Sequence, residues 1–323
     1  MPSPQSDSHR QRPRRQRARL AALLIPAAVL LVTAFAQISV PPASEGATLT
    51  TPKAIVLGVV EGVTEYLPIS STGHLLITEK ILGIGETAAD KDAADTYTVV
   101  IQIGAILAVL GIFRDRFLLM FKGITSKDEQ GRSLILSLLL AFIPAVLIAL
   151  LFQDPIKERL LAPWPVVGAW VVGALAIFAF VANNHRFIAR FDSVGTIPPK
   201  VALGIGCAQV LALWPGTSRS LVTILAAVLL GCSLRVAVEF SFLLGFLTLS
   251  AATGYELLKN GSTLLDTFGL MNPVIGILAA GVSAFVSVKW MITYLEKHPL
   301  TIFGGYRIAA AAVTAVLLAT GTI

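Results

Sequence analysis

EGVTEYLPISSTGH, residues Glu61–His74, puts two carboxylates, two serines and a histidine within fourteen residues of a chain that is otherwise strongly apolar. Charged residues make up 14% of the 323 residues and mean hydropathy is +0.79; a soluble domain carries roughly 25% charge. The windows Leu20–Ser44, Thr96–Phe113, Ser133–Gln153, Leu160–Asn184 and Thr267–Val288 hold no Asp, Glu, Lys or Arg. Each meets or approaches the ~20 apolar residues that cross a hydrocarbon core as a helix. Phe240–Tyr255 and Ile308–Ile323 are shorter and suffice if flanking residues extend them. A soluble helical protein would show polar residues recurring at a 3.6 period along such windows, and these do not. The fold class expected is an all-α polytopic membrane protein.

The net charge of +6 therefore needs no nucleic acid as partner. Six arginines fall in the first nineteen residues, the pattern of a basic cytoplasmic tail facing anionic lipid. Residues 20–52 read as an N-terminal membrane anchor with an external linker. A signal peptide is the alternative, with Ala34-Phe35-Ala36 as its cleavage site. Cys207 and Cys232 lie in apolar sequence and read as buried, inert thiols. No Walker loop, strand-borne GxGxxG or HExxH occurs.

Loop charge orients the remainder, residues 53–323, read as a single membrane-embedded catalytic domain. Arg114–Arg132 and His185–Lys200 are rich in Lys and Arg and should be cytoplasmic. Asp154–Arg159 between them, and Glu256–Asp266 later, should be external loops. Lys53–Asp95 then begins and ends outside, as two half-depth helices, Ala54–Leu67 and Ile69–Ile84, joined at Pro68. Val201–Leu234 begins and ends inside, broken at Pro215. Such re-entrant hairpins are allowed only where they line a cavity or are buried in protein. LGVVEGVTEYLPISST also aligns with LGIGCAQVLALWPGTSR if one residue is inserted before the proline. The expectation is a helical bundle with inverted-topology repeats, residues 53–184 and 197–323, whose two hairpin tips form one polar pocket.

Glu61 and Glu65, four apart, share a helix face. Carboxylates in lipid are costly, so the pair reads as a metal site or a proton acceptor; a single protonated acid bonded to a neighbouring helix is the plainer reading. Ser70, Ser71 and Thr72 follow Pro68 and serve either as helix caps or as a nucleophile and phosphate donors. His74 beside them reads as catalytic. Arg219 is the one charge between Val201 and Leu234 and needs an anionic partner: a phosphate, or Glu61, Glu65 or Glu239. Gly216, Thr217, Ser218 and Ser220 around it resemble a helix N-terminus, whose free amides suit a phosphate oxygen.

In EGVTEYLPISSTGH and ALWPGTSRS the chain resembles the undecaprenyl-diphosphatase family of bacterial membrane proteins, the bacitracin-resistance type. YTVVIQIGAILAV, IPAVLIALLF, EFSFLL and Tyr306-Arg307 extend the resemblance from about Ala54 to the C-terminus. It implies removal of the terminal phosphate of undecaprenyl diphosphate, in the bacterial cytoplasmic membrane, at a site open to the external face. It also implies a divalent cation, Mg or Ca, at Glu61 and Glu65, and catalytic roles for Glu61, Glu65, Ser71, His74 and Arg219. Ser71 would attack, with His74 or Glu65 taking its proton; histidine as nucleophile is a variant, and a homo-oligomer is possible. Leu221, and Gly245-Phe246-Leu247 where a proline is usual, depart from the family pattern and would narrow the pocket or close the hairpin packing. A polyprenyl-phosphate transporter of the same architecture is the competing function.

Overall fold

The computed structural model describes residues 49–86 and 88–323; the basic tail and most of the expected anchor lie outside these. Among the described residues there are twelve α-helices and no strands beyond one isolated bridge, Phe191 with Cys232. α1 (Thr51–Thr64) has Pro52 in its opening turn and leads through Tyr66-Leu67-Pro68 to α2 (Ser71–Leu82). α3 (Ala88–Val100) and α4 (Gln102–Ile112) are nearly continuous, and α5 (Arg114–Thr125) precedes the long α6 (Glu129–Leu160) and α7 (Pro163–Ala182). α8 (Pro199–Gln209), one 3₁₀ turn and α9 (Arg219–Leu229) repeat the short-pair pattern. α10 (Leu234–Phe268), α11 (Met271–Leu295) and α12 (Thr301–Ala319) complete the chain.

Among the described residues, six segments are long and apolar enough to cross a membrane: Asp90–Ile112, Glu129–Phe152, Pro163–Ala182, Leu234–Phe268, Met271–Leu295 and Thr301–Ala319. Leu147, Leu175, Leu278 and Val282 on these spans are each more than half exposed, an apolar outer surface that suits lipid. The chain is an all-α polytopic membrane protein.

The short pairs return to the end from which they start. Arg190 N–H and Phe191 N–H, ahead of α8, donate to Gly231 O after α9 at 2.7 and 3.0 Å. Leu49 before α1 shares an apolar cluster with Leu82 and Ile84 at the end of α2. That cluster includes Leu264 and Phe268, at the far end of α10 from Gly231. The two pairs thus enter from opposite ends of α10 and meet at their proline turns. Packing crosses the halves: α1 lies on α11, α8 on α6, α7 on α12, and α3 and α4 on α10. At Gly62 a methyl would sit 2.7 Å from Ala284 N, so α1 and α11 touch backbone to backbone.

Three details differ from the sequence expectation. Glu256–Asp266 is helical, because α10 continues on Leu264 and Phe268, both buried, until Gly269 at φ 68° ends it. Residues 154–159 likewise stay within α6. Cys207 is exposed while Cys232 is buried, and both are free.

The two turns share an unusual feature. Ser70 (φ 74°, ψ 104°) and Ser218 (φ 76°, ψ 111°) both adopt a left-handed conformation rare for non-glycine residues. Each caps the helix that follows, accepting from Gly73 N at 3.5 Å and Leu221 N at 3.3 Å. Carried past the proline without a gap, the sequence alignment pairs Ser71 with Ser218. The folded turns pair Ser70 with Ser218 and Ser71 with Arg219, because the second turn holds one more residue after its proline. Glycine relieves left-handed strain of about 1 kcal/mol while alanine only removes the cap. Ser218→Gly should therefore unfold in detergent at a higher temperature than Ser218→Ala; the reverse order would exclude strain at this turn.

Candidate active site

Glu65 caps the C-terminus of α1, its N–H donating to Glu61 O at 2.9 Å. Its carboxylate sits between the two turns. Ser71 Oγ, on the first residue of α2, donates to Oε2. Arg219 Nη2, on the first residue of α9, donates to Oε1 at 2.8 Å. A hydroxyl from one turn and a guanidinium from the other thus share one acid. The Arg219 and Glu65 side chains are only 13% and 7% exposed, so little solvent screens the pair. Arg219 Nη1 donates to Ser241 O of α10 at 2.9 Å, and its Cζ lies 5.3 Å from the Tyr66 ring centroid. Its mobility is restrained on three sides.

Glu61, one turn earlier on α1, is fully buried, and neither carboxylate oxygen has a hydrogen-bond partner among the described residues. A buried carboxylate without donors holds a proton or a cation. With Glu65 on the same face, the donor set is the all-oxygen kind that divalent cations such as Mg and Ca select. No group of three or more His, Cys, Asp or Glu that could hold a metal exists among the described residues, so a cation here would draw its other ligands from substrate or water.

His74 faces away from Ser71. Nδ1 lies 2.6 Å from Ser70 O and Nε2 lies 2.7 Å from Tyr306 Oη. A carbonyl only accepts, so Nδ1 carries the hydrogen, and in a neutral ring Nε2 accepts from the Tyr306 hydroxyl. Trp170 and Tyr306 flank the ring at 4.8 and 5.5 Å between centroids. Of the two bases expected for Ser71, the structure puts Glu65 on it. Glu239 does not orient Arg219: it pairs with Arg116 of α5, which reaches it first at the basic end of α10.

The remaining hydroxyls largely serve the turns. Ser220 Oγ, fully buried, donates to Leu67 O at 2.9 Å, and Ser218 Oγ lies 3.5 Å from the same carbonyl. Gly216 and Thr217 offer their carbonyls to Arg307. Thr72 is exposed at the start of α2. Leu221 is core, and Phe246 packs on Phe117 at 4.5 Å with Leu247 beside them, so these departures close the packing. Gly245 bears on the site directly, since any Cβ there would overlap the Arg219 guanidinium.

The family profile described as bacitracin resistance protein BacA matches residues 54–313. This chain belongs to that family. Among curated members it is 43% identical over 258 residues to undecaprenyl-diphosphatase 2 of Rhodospirillum rubrum, covering 80% of this chain and 91% of that one. The undecaprenyl-diphosphatase of Sorangium cellulosum is 41% identical over 264 residues, 80% of this chain and 83% of that one. Undecaprenyl-diphosphatase 1 of Burkholderia lata is 43% identical over 260 residues, 80% and 91% of the two chains. The BacA match spans both turns and every site residue from Glu61 to Arg307.

Tyr66, Trp170, Tyr306 and Arg307 join the site only in the folded structure. One signal for Arg307 was present: it is the sole charge from Leu300 to Ile323, the argument that singled out Arg219.

Breaking one side of a buried ion pair leaves the other charge stranded, while removing both does not. Glu65→Gln and Arg219→Gln, alone and together, should show a coupling on the order of 1–3 kcal/mol in a double-mutant cycle of reversible unfolding. Additive effects would mean that the pair does not form in the folded protein.

Proposed function

We propose that this BacA-family chain hydrolyses undecaprenyl diphosphate to undecaprenyl phosphate and inorganic phosphate. The role is recycling of the carrier lipid for cell-wall synthesis, with bacitracin resistance as its consequence. The observation that carries the reading is Ser71 Oγ donating to a carboxylate whose other oxygen is bound by Arg219. The names of the relatives supply the substrate. A carrier needs anion-binding groups and a gate; a hydroxyl held on a base serves nucleophilic attack and has no part in carriage.

In the mechanism, Ser71 Oγ attacks the distal phosphorus and its proton passes to Glu65 Oε2. The Oγ–P bond forms as the bond from phosphorus to the bridging oxygen breaks, and undecaprenyl phosphate departs with that electron pair. Glu65 returns the proton to the departing oxygen. It then takes one from water, which attacks the phosphoserine, releases inorganic phosphate and restores Ser71 with that proton. Arg219 and the first amides of α2 and α9 stabilise the equatorial oxygens. His74, bonded to Ser70 O and Tyr306, holds the turn that presents Ser71. Glu61 and Glu65 would hold a divalent cation, which supplies charge neutralisation for the diphosphate oxygens.

The end that carries Arg114, Arg132, Arg186, Arg190 and Lys200 is taken as cytoplasmic. On that reading α1–α2 is a re-entrant pair from the external face of the cytoplasmic membrane and α8–α9 one from the inside. The halves then form an inverted repeat, and substrate enters from outside. The crossed packing of α1 on α11 and α8 on α6 supports this.

Purified protein should release phosphate from a prenyl diphosphate and lose that activity with chelator. Glu65→Gln and Ser71→Ala should each lower kcat by roughly 10²–10⁴-fold, the span of a general base or its partner. No release by folded wild type that still binds the lipid would sink the hydrolase reading. Gly245→Val, whose side chain would displace the Arg219 guanidinium from Glu65, should cut kcat by about tenfold or more and also lower the melting temperature, because the buried Glu65 charge is left without its partner. Unchanged kcat would mean that Arg219 need not sit on Glu65.

A further inference from the structure

Arg307 of α12 is fully buried and has no acidic partner among the described residues. A guanidinium has five N–H donors and no acceptor. All five are spent on backbone carbonyls. Nε donates to Trp170 O at 3.1 Å, and Nη1 to Pro68 O at 3.3 Å and Thr217 O at 3.2 Å. Nη2 donates to Ala169 O at 2.7 Å and Gly216 O at 2.9 Å. The acceptors belong to three segments: the first turn, the second turn and α7. Gly173 of α7 makes the approach possible, because a Cβ there would lie 2.5 Å from the Arg307 Cζ.

Pro68 is three residues before Ser71, and Thr217 is two before Arg219. Arg307 therefore ties together the two turns that carry the nucleophile and the phosphate-binding arginine, at their backbones rather than at the reacting groups. Such a buried charge without an ion-pair partner is expensive, and five oriented carbonyl dipoles are what make it tolerable. A Lys cannot substitute: its ammonium has three donors at a single point. From this geometry we infer that Arg307 is a positioning residue of the phosphatase, which holds the α1–α2 and α8–α9 turns in register so that Ser71, Glu65 and Arg219 meet. The inference rests on the phosphatase reading of the site for its kinetic consequence, and on structure alone for its mechanical one.

The test uses Arg307→Lys and Gly173→Ala in full-length protein, the second moving the guanidinium while keeping every donor. Two readouts are taken: kcat and KM per folded molecule on a prenyl diphosphate, and amide hydrogen exchange of peptides over residues 66–74 and 214–222. Expected in both variants is faster exchange in the two turn peptides together, with α6 and α10 peptides unchanged. kcat should fall about 100-fold, as loss of reacting geometry produces, with KM within about threefold because Arg219 remains to bind phosphate. Should kcat per folded molecule stay near wild type, or fall without the turns loosening, the inference is overturned. If Arg307→Lys does not fold, Gly173→Ala carries the same two outcomes. A wild type that releases no phosphate would defeat the phosphatase reading, while the exchange data would still report on the latch.

Discussion

Everything polar at the centre of this bundle is organised by one constraint: far from bulk water, a charge or a backbone carbonyl has to be satisfied by the protein itself. Glu65 meets it with a hydroxyl on one oxygen and a guanidinium on the other. Because Ser71 and Arg219 come from turns that enter at opposite ends of α10, satisfying that one acid requires both pairs of short helices to reach the middle. The meeting of the two turns and the assembly of the candidate active site are the same event.

The turns are also costly in themselves. Ser70 and Ser218 sit in left-handed backbone, and the turn carbonyls have no helical partners. The surroundings absorb these costs: each serine caps its own helix, Ser220 covers Leu67 O, and Arg307 covers Pro68, Gly216 and Thr217. Strained backbone persists where surrounding structure over-determines it, and such places cluster at functional sites. Here the strain aims the first residues of α2 and α9, Ser71 and Arg219, at a common point.

A division of labour follows among groups that look alike in sequence. Glu61 and Glu65 share a helix face, yet one is fully committed and the other has both oxygens without a partner. Ser70 and Ser71 are neighbours, yet one caps a helix and the other holds the base. His74 is three residues from Ser71 and points instead to α12. On the hydrolytic reading, Glu65 is base and would hold a cation together with Glu61, and histidine stabilises the turn.

Much was legible in the sequence, for reasons of composition and solvation. Apolar windows long enough to cross a bilayer require helices, and charge inside such windows requires partners. The breaks at Pro68 and Pro215, Glu61 and Glu65 on one face, and the lone Arg219 all followed from that. Tertiary structure alone decided which partner each group took. Arg219 had three candidate carboxylates within reach of the argument and took Glu65, because Glu239 lies at the end of α10 where Arg116 meets it. Arg307 took backbone carbonyls, which every residue carries and which therefore leave no mark in a sequence. α10 ran through the expected loop at Glu256–Asp266 because Leu264 and Phe268 found a buried surface there. Local chemistry states that a polar group in an apolar bundle must be satisfied; only the packing of distant segments brings the group that satisfies it.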